Sequence, residues 1–262
     1  LIPAGAAGNL IIAKFIGALA VRPLMLIVMQ WQMVVSAKEA YKNIQEFLEN
    51  HPIQKESMAM ADPIGKLSVE NLEYTPDKNF PNIIEGINFQ VHPGQLLTVL
   101  GHSGAGKTTL ARALVGFIEP SKGGVRLDGV SVYNWNKSEL GKHLGYLPQD
   151  IELFDGTFAE NITRFGEMDH ENLNKAIKLA NLEDFLEILP EGIETNLNAD
   201  TLRIPGGIKQ KIGLARALYG DPKLIVLDEP SSNMDNYSES KFLESIKAIK
   251  NLPCSLIIIT HS

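Results

Sequence analysis

From Leu24 onward, apolar residues recur at intervals of mostly three and four, at Leu24, Ile27, Val28, Trp31, Val35, Tyr41, Ile44 and Leu48. That spacing lines one stripe of a helix, and polarity rises along it toward Glu49. Upstream, residues 10–35 hold nearly all the contiguous apolar sequence, interrupted by Lys14, Arg22 and Pro23. A bilayer span takes roughly 20 largely apolar residues. The segment therefore reads either as a helix leaving a membrane or bundle and running into water, or as an ordinary amphipathic packing helix. It lacks the cleavage pattern of a signal peptide.

Residues 51–63 are polar, show no periodicity and carry Pro52 and Pro63, which reads as a linker with a domain boundary near residue 60. Short β-type runs follow at 67–74, 87–91 and 96–100, then at 144–147, 224–227 and 255–260. Between the later runs lie helical stretches at 107–115, 172–180, 209–219 and 238–250. Strands alternating with helices predict an α/β fold with a mostly parallel sheet and crossover helices.

Composition narrows the partners. Lys and Arg number 24 against 31 Asp and Glu, a formal net charge of −7, which opposes a general nucleic-acid binder. The single cysteine, Cys254, closes no intrachain disulfide and offers no thiolate cluster, which suits a reducing compartment. Leu1 in place of Met, and an end at Ser262 directly after an apolar run, point to a piece of a longer protein.

The strongest chemical signal is Gly101-His102-Ser103-Gly104-Ala105-Gly106-Lys107-Thr108-Thr109, between a predicted strand and a predicted helix. It fits G-x-x-x-x-G-K-[ST]. Its glycines let successive backbone N–H groups turn inward around phosphate oxygens, and the following helix adds its positive N-terminal dipole. Lys107 is then placed to reach the β- and γ-phosphates, and the Thr108 hydroxyl to ligate Mg²⁺. His102 sits at a free position of the loop and is given no chemistry. A second apolar run ends in Asp228-Glu229-Pro230, putting two carboxylates at the carboxyl end of a buried strand. Asp228 reads as a metal-orienting group acting through water, and Glu229 as the residue that polarises a water for attack on the γ-phosphate.

With both phosphate motifs in place, the chain resembles an ATP-binding cassette (ABC) ATPase, and more closely the ATPase end of a bacterial type I protein-secretion exporter. The likeness is carried by Gly145-Tyr146-Leu147-Pro148-Gln149-Asp150, by Glu160-Asn161-Ile162 and Arg164-Phe165-Gly166, and by Gly213-Leu214-Ala215-Arg216-Ala217-Leu218. It covers about residues 66–262. The resemblance implies a P-loop ABC nucleotide-binding domain with a mixed sheet and a helical subdomain. Residues 1–50 would be the end of a transmembrane domain, with 51–65 as linker. It implies that Gln149 reaches Mg²⁺ and the attacking water, that Asp235 reports across a dimer interface, and that His261 contacts the γ-phosphate and holds the water with Glu229. Tyr74 is the aromatic nearest to where the family stacks adenine, and a core strand tyrosine fits it equally well.

One motif departs. The family's signature reads Leu-Ser-Gly-Gly-Gln, and this chain has Ile204-Pro205-Gly206-Gly207-Ile208 there. By the resemblance, one subunit's signature closes over the nucleotide on the other's phosphate loop. Gly206 and Gly207 keep amides for that contact, whereas Pro205 brings neither hydroxyl nor N–H and Ile208 no amide side chain. Turnover is expected to weaken while the fold survives, since proline is tolerated at a helix start.

The implied function is an ATP- and Mg²⁺-dependent exporter subunit of the bacterial inner membrane, with its ATPase domain in the cytoplasm. The implied partners are a second ABC subunit, alike or different, a periplasmic adaptor, an outer-membrane channel and a secreted polypeptide. Three readings compete: an exporter of lipids, peptides or drugs; a soluble ABC-type ATPase of DNA repair or translation, which the acidic charge opposes; and a cassette that clamps ATP with little turnover.

Overall fold

The computed structural model describes residues 4–50, 62–77, 80–197, 204–231 and 236–261. Ala4–Asn50 form one helix, α1, with Pro23 inside it. The helix therefore begins well before Leu24, because the Ala-rich stretch ahead of Pro23 is itself made of good helix formers. Within it, Ile11–Glu49 is long and apolar enough to cross a membrane by length and composition. The chain forms two compact units, Leu1–Glu56 and Ser57–Ser262. Of the expected linker, residues 51–61 lie outside the described residues.

In the second unit the strands are β1 (Leu67–Tyr74), β2 (Ile84–Val91), β3 (Leu96–Leu100), β4 (Lys122–Leu127), β5 (Val130–Ser131), β6 (Leu144–Leu147), β7 (Leu224–Asp228) and β8 (Ser255–Thr260). The helices are α2 (Lys107–Leu114), α3 (Lys137–His143), α4 (Phe158–Thr163), α5 (His170–Leu179), α6 (Glu183–Ile188), α7 (Gly206–Leu218) and α8 (Asn236–Ile249). The alternation of strands and helices gives the expected parallel sheet, ordered β3-β8-β7-β6. Beside it stands an antiparallel sheet, β2-β1-β4-β5, which the alternation did not predict. It forms where strands follow one another without an intervening helix, as antiparallel pairing allows.

The parallel sheet is buried on both faces, which is why its strands are continuously apolar. Along β7 the side chains alternate between two cores: Ile225 and Leu227 join α4, α5, α7 and α8 on one face, while Leu224 and Val226 join α2 and the antiparallel sheet on the other. α7 lies close on β6. A Cβ on Gly145 would fall 2.0 Å from the Ala217 carbonyl oxygen, so glycine is required for that approach.

Helix starts are fixed by local chemistry. Thr157 and Glu160 form a reciprocal capping box on α4, and the Asp169 carboxylate accepts from the Glu171 and Asn172 amides ahead of α5. α7 starts three residues earlier than its apolar pattern suggested, with Pro205 as N-cap. The parallel strands all end at one edge. That edge leads from β3 into the glycine loop, from β6 toward Gln149, from β7 into Asp228 and Glu229, and from β8 into His261.

Candidate functional site

The loop between β3 and α2 turns through two left-handed glycines, Gly104 (φ 80°) and Gly106 (φ 85°). Gly106 is the N-cap of α2, and a Cβ there would sit 2.8 Å from the Ile83 carbonyl oxygen. The loop is thus held against the start of β2 and cannot admit a side chain at that point. Lys107 is only 8% exposed. Its Nζ donates to the Gly101 and His102 carbonyls at 2.9 and 3.0 Å and lies 3.4 Å from Glu229 Oε1.

Ser103, Gly104, Gly106, Lys107, Thr108 and Thr109 line one side of a polar cavity of about 360 Å³. Gln149, Glu229 and Ile83 complete the lining. Glu229 is the meeting point of the site. Gln149 Nε2 donates to its Oε2 at 3.4 Å, His261 Nδ1 stands 3.8 Å from the same oxygen, and Lys107 faces its other oxygen. Its backbone is held in the left-handed region (φ 44°), with its N–H donating to the Ile259 carbonyl at 2.8 Å. Strain of this kind in a bulky residue persists only where the surroundings over-determine it.

Asp228 is fully buried, and neither carboxylate oxygen has a hydrogen-bond partner among the described residues. Burial raises its pKa above the ordinary carboxylate value and Glu229 adds to this, while the neighbouring Thr108 hydroxyl, Lys107 and Arg112 pull it down. A buried, orphaned carboxylate beside a hydroxyl is a strong demand for a hard cation, and the oxygens of Thr108, Asp228 and Gln149 suit Mg²⁺.

Some expected residues stand elsewhere. Tyr74 ends β1, its carbonyl accepts the Ile83 N–H at 2.9 Å, and its ring packs on the second core. Among the described residues, the cavity lining includes neither Tyr74 nor Gly206 nor Gly207. The two glycines form the first turn of α7, where the Pro205 carbonyl accepts from the Ile208 and Lys209 amides at 3.0 Å each. Ile208 packs partly buried against the first core. Asp235 lies outside the described residues.

Two participants carried no sequence signal. Ile83 enters the cavity because β2 begins at Ile84, three residues earlier than its apolar run suggested. Gln210, on α7, is 1% exposed and donates through Nε2 to the Gln149 carbonyl at 3.1 Å. Neither an isoleucine two residues after a proline nor a glutamine in an amphipathic helix stands out by residue type. A separate cavity of about 420 Å³, between Phe117, Leu140, Tyr146 and Arg164, is largely apolar.

Residues 84–232 match the model of the family described as ABC transporter. The chain is 37% identical over 255 residues to the type I secretion system ATP-binding protein PrsD of Rhizobium meliloti (strain 1021), covering 97% of this chain and 44% of that protein. It is 32% identical over 230 residues to the ATP-dependent lipid A-core flippase of Bordetella avium (strain 197N), covering 87% of this chain and 38% of the relative. Among solved structures, that of a bacterial Atm1-family ABC exporter with ATP bound superposes with a TM-score of 0.76 at 26% identity, over 97% of this chain and 45% of the other. The chain thus spans less than half the length of these relatives.

Proposed function

The chain belongs to the ABC transporter family, and from that premise we propose that it binds and hydrolyses ATP to drive type I protein secretion across a bacterial inner membrane. The observation that carries the reading is the convergence of Lys107, Gln149 and His261 on Glu229 beside the buried Asp228.

In this reading each residue of the site has a role. Lys107, now held by two loop carbonyls and facing Glu229, exchanges them for the β- and γ-phosphates of ATP. Glu229, released from the cation, accepts the proton of the attacking water. Gln149 and His261, both already within reach of its Oε2, orient that water. Thr108, Asp228 and Gln149 would hold Mg²⁺, which supplies charge neutralisation at the phosphates when bound.

In this reading residues 1–50 are the end of a transmembrane domain, 51–65 a linker and 66–262 the ATPase domain facing the cytoplasm. Gly206 and Gly207 contact the nucleotide held by a second ABC subunit and Asp235 reports across the same interface, whereas Tyr74, whose ring packs on the second core, serves as a core strand tyrosine rather than as the adenine's partner. The partners are a periplasmic adaptor and an outer-membrane channel, and the cargo is a polypeptide. The likeness to a protein named as a type I secretion component over 97% of the chain supports that choice. The likeness to a lipid A-core flippase keeps a lipid exporter as the nearest alternative.

A second reading is favoured by Pro205 and Ile208: a cassette that clamps ATP with little turnover. Steady-state Mg²⁺-dependent ATPase activity of the full-length protein in lipid, beside Glu229→Gln, decides between them. Turnover in the wild type that Glu229→Gln lacks supports the exporter motor. Equal, negligible rates in both leave the clamp.

A further inference from the structure

We infer that Gln210 is a positioning residue, which ties the main chain of Gln149 to helix α7 and so sets the angle at which Gln149 meets Glu229 and the metal. The inference rests on the proposed ATPase reading and deepens it.

The place Gln210 occupies would suit an apolar side chain. Its helical neighbours Ile212, Leu214 and Ala215 are all buried, and Gln210 is itself 1% exposed. Glutamine is seldom found at such depth unless its polar atoms are satisfied. Here only one end is. Nε2 donates to the Gln149 carbonyl at 3.1 Å, whereas Oε1 is buried with no partner among the described residues. The amide cannot be reversed, because the Gln149 carbonyl needs a donor and Oε1 is only an acceptor. The residue therefore leaves one acceptor buried for a single contact, and that contact falls on the main chain of Gln149, whose side chain donates to Glu229.

The path is short and stiff. Gly206 and Gln210 are four residues apart on α7 and share a face, so the helix's first turn and its glutamine move together. The loop is pinned to α7 a second time at Gly213, where a Cβ would lie 2.7 Å from Ile151 Cδ1. Displacement of the α7 start is thereby felt at the Gln149 carbonyl, then by its side chain, which donates to Glu229 Oε2 at 3.4 Å. This link does not pass through Pro205 or Ile208 and survives the altered signature.

The test uses the full-length protein in lipid, with wild type, Gln210→Met, Gln210→Glu and Glu229→Gln. Methionine keeps the apolar volume and loses the donor. A buried glutamate has its pKa raised, so it donates to the Gln149 carbonyl when protonated and opposes it when ionised. Turnover at saturating ATP should fall about tenfold in Gln210→Met, with KM for ATP held within about twofold. Gln210→Glu should regain turnover as pH is lowered, over a range where wild type and Gln210→Met do not. Mn²⁺ affinity of the ATP-bound protein, read by electron paramagnetic resonance, should drop in Gln210→Met while ATP affinity by calorimetry stays. Wild-type kinetics and Mn²⁺ affinity in both variants would overturn the inference. So would a joint fall of turnover, ATP affinity and melting temperature without recovery at low pH, which marks a purely structural residue. If Gln210→Met fails to fold, the pH response of Gln210→Glu decides. If the wild type shows no turnover above Glu229→Gln, hydrolysis itself is refuted, and Mn²⁺ affinity decides the positioning role: a fall in Gln210→Met supports it, and no change overturns it.

Discussion

Lys107 Nζ lies 3.4 Å from Glu229 Oε1, at side-chain exposures of 8% and 16%. The residue that would hold phosphate and the residue that would activate water are thus paired with each other. A pair this sheltered keeps each charge compensated. It also means that neither group is free for its role until anionic phosphate competes for the lysine.

Lys107→Ala should therefore remove ATP binding and leave Glu229 without its cation. Glu229→Gln should keep ATP binding, since the lysine then faces a neutral amide, while turnover falls about 10²- to 10⁴-fold as a general base is lost. Calorimetry with ATP and steady-state hydrolysis separate the two. Unchanged ATP affinity in Lys107→Ala would sink the phosphate-loop assignment.

The glycine loop gives a sharper structural test. Gly104 and Gly106 are both left-handed, yet a Cβ on Gly104 meets open space and one on Gly106 meets the Ile83 carbonyl. Gly104→Ala carries the cost of its backbone conformation alone, of about 1 kcal/mol. Gly106→Ala adds a backbone clash and should cost on the order of 3 kcal/mol in total while displacing the loop from β2. Thermal denaturation of the two variants checks the difference, and equal melting temperatures would refute it.

Asp228 predicts a pH dependence. Its folded pKa is raised above the ordinary carboxylate value of 3.8, so the folded chain holds that proton at higher pH than the unfolded chain does. The stability this contributes is present below 3.8 and is lost as pH rises through the raised value. Asp228→Asn should accordingly stabilise the metal-free protein near neutral pH. The same change should abolish the Mg²⁺ dependence of nucleotide binding. Melting curves with and without Mg²⁺ read both effects, and an Asp228→Asn protein less stable than wild type without metal would contradict the burial argument.

How much of this was legible depended on how local the cause is. The glycine loop, the strand ending in Asp228 and the strand ending before His261 are dictated by neighbours in sequence, and the structure places all three at one sheet edge. β4 was not legible, because Lys122-Gly123-Gly124-Val125 has neither alternation nor β-branched enrichment, and it is a strand only through its pairing with β1. α7 was read short because Pro205 and two glycines signal a break, although proline is a good residue at a helix start. The contacts of Gln210 and Ile83 are set by tertiary approach alone. No spacing rule finds a glutamine whose partner is a carbonyl on a loop from another strand.

The altered signature yields the last prediction, from two opposed local effects. As N-cap of α7, Pro205 makes no side-chain hydrogen bond to the helix start, so Pro205→Ser supplies a capping hydroxyl worth about 0.5–2 kcal/mol. Ile208 is partly buried against the first core, so Ile208→Gln gives up apolar contact of comparable size, about 1–2 kcal/mol. The double variant should melt close to wild type. On the proposed reading, in which this signature faces a nucleotide held by a second subunit, its hydroxyl and amide would also add polar contacts to that nucleotide, worth about 1.5–3 kcal/mol each when charge-assisted. ATP turnover at saturating nucleotide should then rise by about tenfold or more with little change in stability. Steady-state hydrolysis beside a melting curve tests this. A stable double variant with unaltered turnover would mean that Gly206 and Gly207 alone serve the facing nucleotide and that Pro205 and Ile208 cost the protein nothing in function.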